Sequence, residues 1–94
     1  MRIIGRLPDP RMQITVFEND GRFPVQFERG GLTQLYRFRK GLHLSNFGQL
    51  RQYVDEDFRT EVLRQFTDMQ VLHRRIAARM QPPPEPLNDL PEII

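Results

Sequence analysis

Met12-Gln13-Ile14-Thr15-Val16-Phe17-Glu18-Asn19-Asp20-Gly21-Arg22-Phe23-Pro24-Val25-Gln26-Phe27 decides the fold of this chain. Met12, Ile14 and Val16 alternate with Gln13 and Thr15, which is the period of a strand with one buried face. Asn19-Asp20-Gly21 follows. These residues accept positive φ and so close a tight hairpin. Phe23, Val25 and Phe27 resume the alternation on the return. Pro24 has no N–H to give to a ladder, which predicts a place at the start of the second strand or on an open side of it.

Working outward, Gly30-Gly31 supplies the next turn. Leu32 to Arg39 is a further strand with Tyr36 and Phe38 on its apolar face. Toward the amino terminus, Arg2 to Arg6 reads as a short strand turned back by Leu7-Pro8-Asp9-Pro10. Residues 1–40 therefore form an antiparallel meander of three or four strands, and Gly41 ends it.

The rest of the chain changes period. Ser45 is expected to cap a short helix over 46–54 that carries Phe47, Leu50 and Val54 on one side. Asp55-Glu56-Asp57 then opens a long helix over 56–80, because the helix dipole favours negative charge at its start. Phe58, Val62, Phe66, Met69, Leu72, Ile76 and Met80 recur at steps of four and three, a single apolar stripe. Val54 to Phe58 is also a step of four, so a continuous helix is compatible with the pattern. Pro82-Pro83-Pro84 stops the helix. Residues 81–94 read as a Pro-rich extended tail holding Leu87, Leu90, Ile93 and Ile94. The expected fold is α+β in the order ββββαα: one domain over 1–80, its meander sheet packed on one face by the long C-terminal helix.

Composition narrows the function. With 94 residues, 38% hydrophobic and 28% charged, the chain is one folded domain rather than a disordered segment. It has no cysteine, which excludes disulfides and thiolate metal sites. No apolar run is long enough to span a bilayer. Met1 to Arg6 has no signal core, which predicts a cytoplasmic protein. Lys40 is the sole lysine, so the basic charge is arginine, whose fork suits phosphate and carboxylate. A GC-rich coding sequence would give the same bias with no function attached. Residues 1–40 carry eight bases against four acids, and the remainder six against eight.

Catalytic chemistry is hard to assemble here. His43 and His73 have no ligand at metal spacing beside them. Ser45, the only serine, is better used as a helix cap. Gly30-Gly31 lies between strands, which makes it a turn and not a phosphate cradle. Asp55, Glu56 and Asp57 are adjacent on a helix and point apart, so they cannot converge on one ion. No enzyme activity, cofactor, metal or small-molecule substrate is expected.

Three features remain. If the apolar residues of the strands face the helix, then Phe17, Leu35, Arg37 and Arg39 face away, with Lys40 beside them. Arginines interleaved with an aromatic suit nucleic acid through phosphate pairing and base stacking. At the end of the long helix, His73, Arg74, Arg75 and Arg79 surround Ile76 and Met80. Cations there complement the helix dipole, but the dipole does not account for the apolar stripe among them. Finally, the long helix would be roughly 37 Å long, whereas a six-residue strand covers about 20 Å. Leu72, Ile76 and Met80 should therefore overhang the sheet and need another surface: a partner, a second copy or the tail.

Ile4 to Phe17, Leu35-Tyr36-Arg37-Phe38-Arg39 and Tyr53-Val54-Asp55-Glu56-Asp57-Phe58 resemble short cytoplasmic proteins confined to one bacterial lineage, among them a lineage-specific protein of the large ribosomal subunit. The likeness covers the first 70 residues or so and holds no catalytic motif. It implies a ribosome-associated setting. A net charge of +2 is low for a protein embedded in ribosomal RNA and counts against that setting; a peripheral position, touching RNA with one basic face and protein with the helix, is compatible with it. Two functions follow. One is a ribonucleoprotein component that binds ribosomal RNA through Phe17, Arg37, Arg39, Lys40, Arg74, Arg75 and Arg79, and a ribosomal protein through Leu72, Ile76 and Met80. The other is a protein–protein adaptor or homodimer built on the C-terminal helix, with no nucleic-acid contact.

Overall fold

The computed structural model describes residues 1–80; the expected tail lies outside the described residues. Strands β1 (Arg2–Leu7), β2 (Gln13–Glu18), β3 (Arg22–Arg29) and β4 (Leu32–Arg39) form one antiparallel sheet in sequential order. Helices α1 (Phe47–Tyr53) and α2 (Glu56–Met80) follow. The fold is α+β, in the order ββββαα.

Two hairpins set the register. Asn19 and Arg22 exchange backbone hydrogen bonds around Asp20 and Gly21, whose φ values are 41° and 73°. Gly30 and Gly31, at 57° and 79°, do the same service between β3 and β4. Both loops have the twist that suits adjacent strands, and glycine supplies it without a steric penalty.

Pro24 lies elsewhere than expected. It is the third residue of β3, in the middle of the sheet and opposite Arg37 of β4. Continuing the register from Val16 opposite Val25 to Asn19 opposite Arg22 sets Phe17 across from Pro24. The proline nitrogen faces β2 there, and the ladder stops at Val16 and Val25 and resumes at the turn. The sheet thus gives up a hydrogen bond at this point rather than excluding the proline.

Leu7, Met12, Ile14, Val16, Phe23, Val25 and Phe27 line the buried face of the sheet and meet Leu50, Val54, Val62 and Phe66 of the helical half. The Phe58 ring sits edge-on to Phe27, Tyr36 and Phe38 at 5.2–5.9 Å between centroids. Among the described residues, Gln34 is the one polar side chain buried in this layer. It is satisfied by donating to the Val62 carbonyl at 2.9 Å and accepting from the Tyr36 hydroxyl. Gly5 allows α1 to approach: a Cβ there would lie 2.6 Å from the Phe47 ring.

The helices are two, not one. The chain leaves α1 at Val54, and Asp55 Oδ1 accepts the Phe58 N–H to start α2. The cap of α1 is Asn46, not Ser45. Asn46 Oδ1 accepts the Gln49 N–H, while Gln49 reaches back to accept the Ser45 N–H. Both residues are good caps, and Gln49 fixes which of them is used.

A polar clamp joins the two halves. The Asp9 side chain, 1% exposed, accepts from the Arg11 backbone and guanidinium and from Arg59 at 2.8–3.2 Å. Arg11 also forks onto Glu56, and Arg59 donates to the Pro8 and Val54 carbonyls. Hydrogen bonds from Arg11 hold Asp9 well below the usual carboxylate range, against the effect of burial. The same carboxylates, Asp9 first, push Arg11 further up, and Arg11 lowers Glu56.

Candidate nucleic-acid interface

The face of the sheet turned away from the helices is built by strand alternation. Ile3 opposes Phe17, Arg6 opposes Thr15, Thr15 opposes Gln26, Gln26 opposes Leu35, and Arg37 opposes Pro24. Arg22 opposes Arg39 at the next level. A bulge at Ile4 brings Ile3 onto this face and turns Ile4 to the core. The centre of the face is an apolar row, Ile3–Phe17–Pro24, continued at a diagonal by Leu35. Phe17 is half-buried; Ile3 and Leu35 are exposed.

Arg6, Arg22, Arg37 and Arg39 surround that row. Among the described residues, none of their guanidiniums has an ion pair or a side-chain hydrogen bond. The arginines elsewhere on the sheet and its clamp are engaged: Arg2 with Glu18, Arg11 with Asp9 and Glu56, Arg29 with the Arg11 carbonyl, and Arg59 with Asp9. The acid on this face, Glu28, accepts from Gln26 at 2.8 Å. The face is therefore a field of free cations over an apolar centre.

The expected residues divide. Phe17, Arg37 and Arg39 share this face. Lys40 does not. It has the parity of Phe38, so it lies on the helix side, paired with Glu18 and 5.0 Å from the centre of the Phe23 ring. The hydrogen bond from Lys40, then that from Arg2, draws Glu18 down to about 2. Arg6 and Arg22 belong to the site although the sequence reading passed over them. The alternation of β3 and the two-residue turn would have placed Arg22 opposite Arg39. Arg6 depends on the pairing of β1, which no local signal specifies.

Arg74, Arg75 and Arg79 are exposed at the far end of α2, well removed along the helix from the sheet face, and among the described residues they are unpaired. Leu72, Ile76 and Met80 are 53%, 38% and 79% exposed. The sheet ends near Phe66 and Gln70, where Arg29, Gly30 and Leu32 border a notch of about 260 Å³. Past that notch the stripe has no sheet beneath it. His43 and His73 are both exposed.

A groove of about 630 Å³ runs along residues 6–14. Of the charged groups that line it, Asp9 and Arg11 are bonded to each other and to α2, and Arg6 belongs to the outer face of the sheet. No group of three or more metal-binding side chains occurs among the described residues, and none of their helices is long and apolar enough to cross a membrane. Comparison with protein-family profiles, curated proteins and solved structures finds no match for the chain.

Proposed function

We propose that this chain is a non-enzymatic RNA-binding protein, a peripheral ribonucleoprotein component that meets RNA with the outer face of its sheet and protein with the overhanging end of α2. One observation carries the reading: the arginines are sorted. Those on the helix side of the sheet and in the clamp, Arg2, Arg11, Arg29 and Arg59, are bonded, while Arg6, Arg22, Arg37 and Arg39 stand free around an apolar centre on the other face. Codon bias enriches arginine but does not sort it by face. The periphery of the large ribosomal subunit, implied by the family resemblance, suits a protein with one basic face and low net charge.

The adaptor reading has its own support in the exposed Leu72, Ile76 and Met80. Charge argues against a second copy as the occupant. After Asp68, α2 carries Arg74, Arg75 and Arg79 and no acid, so two overhangs placed together would repel. An acidic protein surface is the better fit.

The test is sedimentation of lysate containing the tagged chain, with Arg37→Glu/Arg39→Glu as the probe. Both residues face solvent, so the double variant should keep the wild-type melting temperature and lose particle association. Association through phosphates should also fall steeply with salt, unlike an apolar helix contact. Unchanged co-sedimentation of a folded double variant would reject the RNA-binding face and leave the adaptor.

A further inference from the structure

The outer face offers more than charge. Thr15 lies at its centre, 4% exposed, and among the described residues its hydroxyl makes no hydrogen bond. Buried hydroxyls are normally partnered, and this one lies beside an aromatic ring on a basic face, where a bound group could supply the partner. Thr15 is two residues from Phe17 on the same side of β2, and Gln26 is directly across from it. The Gln26 amide N–H is committed to Glu28, which leaves its carbonyl oxygen to accept. A ring, a hydroxyl and an amide oxygen within one patch match the face and edge of a nucleobase.

The arrangement also selects between forms of RNA. A stacked duplex offers no free base face, and its deep major groove is closed to side chains. A broad sheet face cannot enter a groove, but it can receive bases that are splayed out. Arg37 lies two strands from Phe17 in the same row, about 10 Å across the sheet. A guanidinium there can hold the phosphate of a nucleotide whose base lies on Phe17. Arg39 and Arg22 extend the same track along the strands. Pro24, buried between Phe17 and Arg37, leaves no tall side chain to block the path.

Resting on the RNA-binding reading, we infer that the outer face binds unpaired RNA, with one base stacked on Phe17, its edge met by Thr15 and Gln26, and the backbone held by Arg37, Arg39 and Arg22. The protein has no tryptophan, so Phe17→Trp places a single tryptophan at the stacking position, excited selectively over the two tyrosines at the red edge of its absorption. The full chain carrying that change is titrated with a short oligouridylate and with a blunt RNA duplex. The oligouridylate should quench the emission; the duplex should not. Phe17→Leu keeps apolar bulk but removes the π-face. It should weaken oligouridylate binding to the otherwise unmodified protein roughly five- to a hundredfold and leave the salt dependence unchanged. Arg37→Ala/Arg39→Ala should instead flatten the salt dependence, by about 0.7 in log–log slope for each phosphate no longer held. If duplex and single strand bind alike and the tryptophan is not quenched, or if Phe17→Leu binds as the parent does, the single-strand inference is overturned while the RNA-binding reading stands. If neither RNA binds, both fall.

Discussion

Phe66 and Ile76 lie on one stripe of one helix, and they should behave as residues of two different proteins. Phe66 is 2% exposed over the sheet. Cutting it to alanine empties a ring-sized space in the core beside Leu32, which costs about 3–5 kcal/mol. A small domain has about 5–15 kcal/mol in all, and each kcal/mol moves the melting temperature by about 4–8 °C at this size. Phe66→Ala should therefore melt at least about 12 °C below the parent. Ile76 is ten residues on, about 15 Å along the axis, beyond the notch where the sheet ends. Ile76→Ser trims a side chain with no sheet beneath it, so its cost should stay within about 0.5 kcal/mol. Thermal melting by circular dichroism measures both. A Phe66→Leu variant serves if the alanine form does not fold. Should Ile76→Ser melt as low as Phe66→Ala, the far end of the stripe is core, the overhang does not exist, and the case for a protein partner on α2 is lost.

Two further outcomes follow from the charges. Asp9→Asn should destabilise by about 2–3 kcal/mol in urea denaturation, somewhat below the usual penalty for breaking a buried pair because Arg11 can turn to water; Glu56→Gln, at the exposed end of the same clamp, should leave the midpoint unmoved. Stability should also fall on acidification. Asp9 and Glu18 are depressed in the folded state, Glu18 to about 2, so the unfolded chain takes up protons first as pH drops below about 4.5. Their contribution is complete above that range and is lost as pH falls toward their folded values. A urea midpoint flat from pH 7 to pH 3 would contradict the clamp and the Glu18 pairs together.

The parts of the fold legible in the sequence are those with local causes. Alternation in Met12 to Val16 and Phe23 to Phe27, with turn residues between, specifies strands within a few residues of the signal. The four-and-three stripe from Phe58 does the same for the long helix. Pro24 is misplaced by sequence reasoning because a missing N–H says only that one hydrogen bond is absent; which neighbour tolerates the loss depends on the partner strand. Ser45 and Asn46 have equal capping chemistry, and the choice rests on Gln49. The Asp9 clamp is invisible because Asp9 and Arg59 are 50 residues apart, and charge pairs at that range leave no pattern. Phe17, Arg37, Arg39 and, through the two-residue turn, Arg22 are readable by parity, and Arg6 is not. The same parity, followed one step past Phe38, would have moved Lys40 to the other face.

The arginines of the outer face bear on something other than binding. An open four-stranded sheet has two edges, here β1 and β4, and among the described residues each presents unpaired backbone groups that another copy can extend. β1 is interrupted by its bulge at Ile4 and has α1 beside it. β4 has no bulge and runs straight through eight residues. Arg37 and Arg39 alternate along it, so a second β4 laid edge to edge would bring like charges together. On the proposed reading, the charge that would receive RNA also opposes edge-to-edge addition of a second sheet. A variant stripped of these arginines trades one property for the other, and should be handled dilute and checked for aggregation before its loss of RNA binding is interpreted.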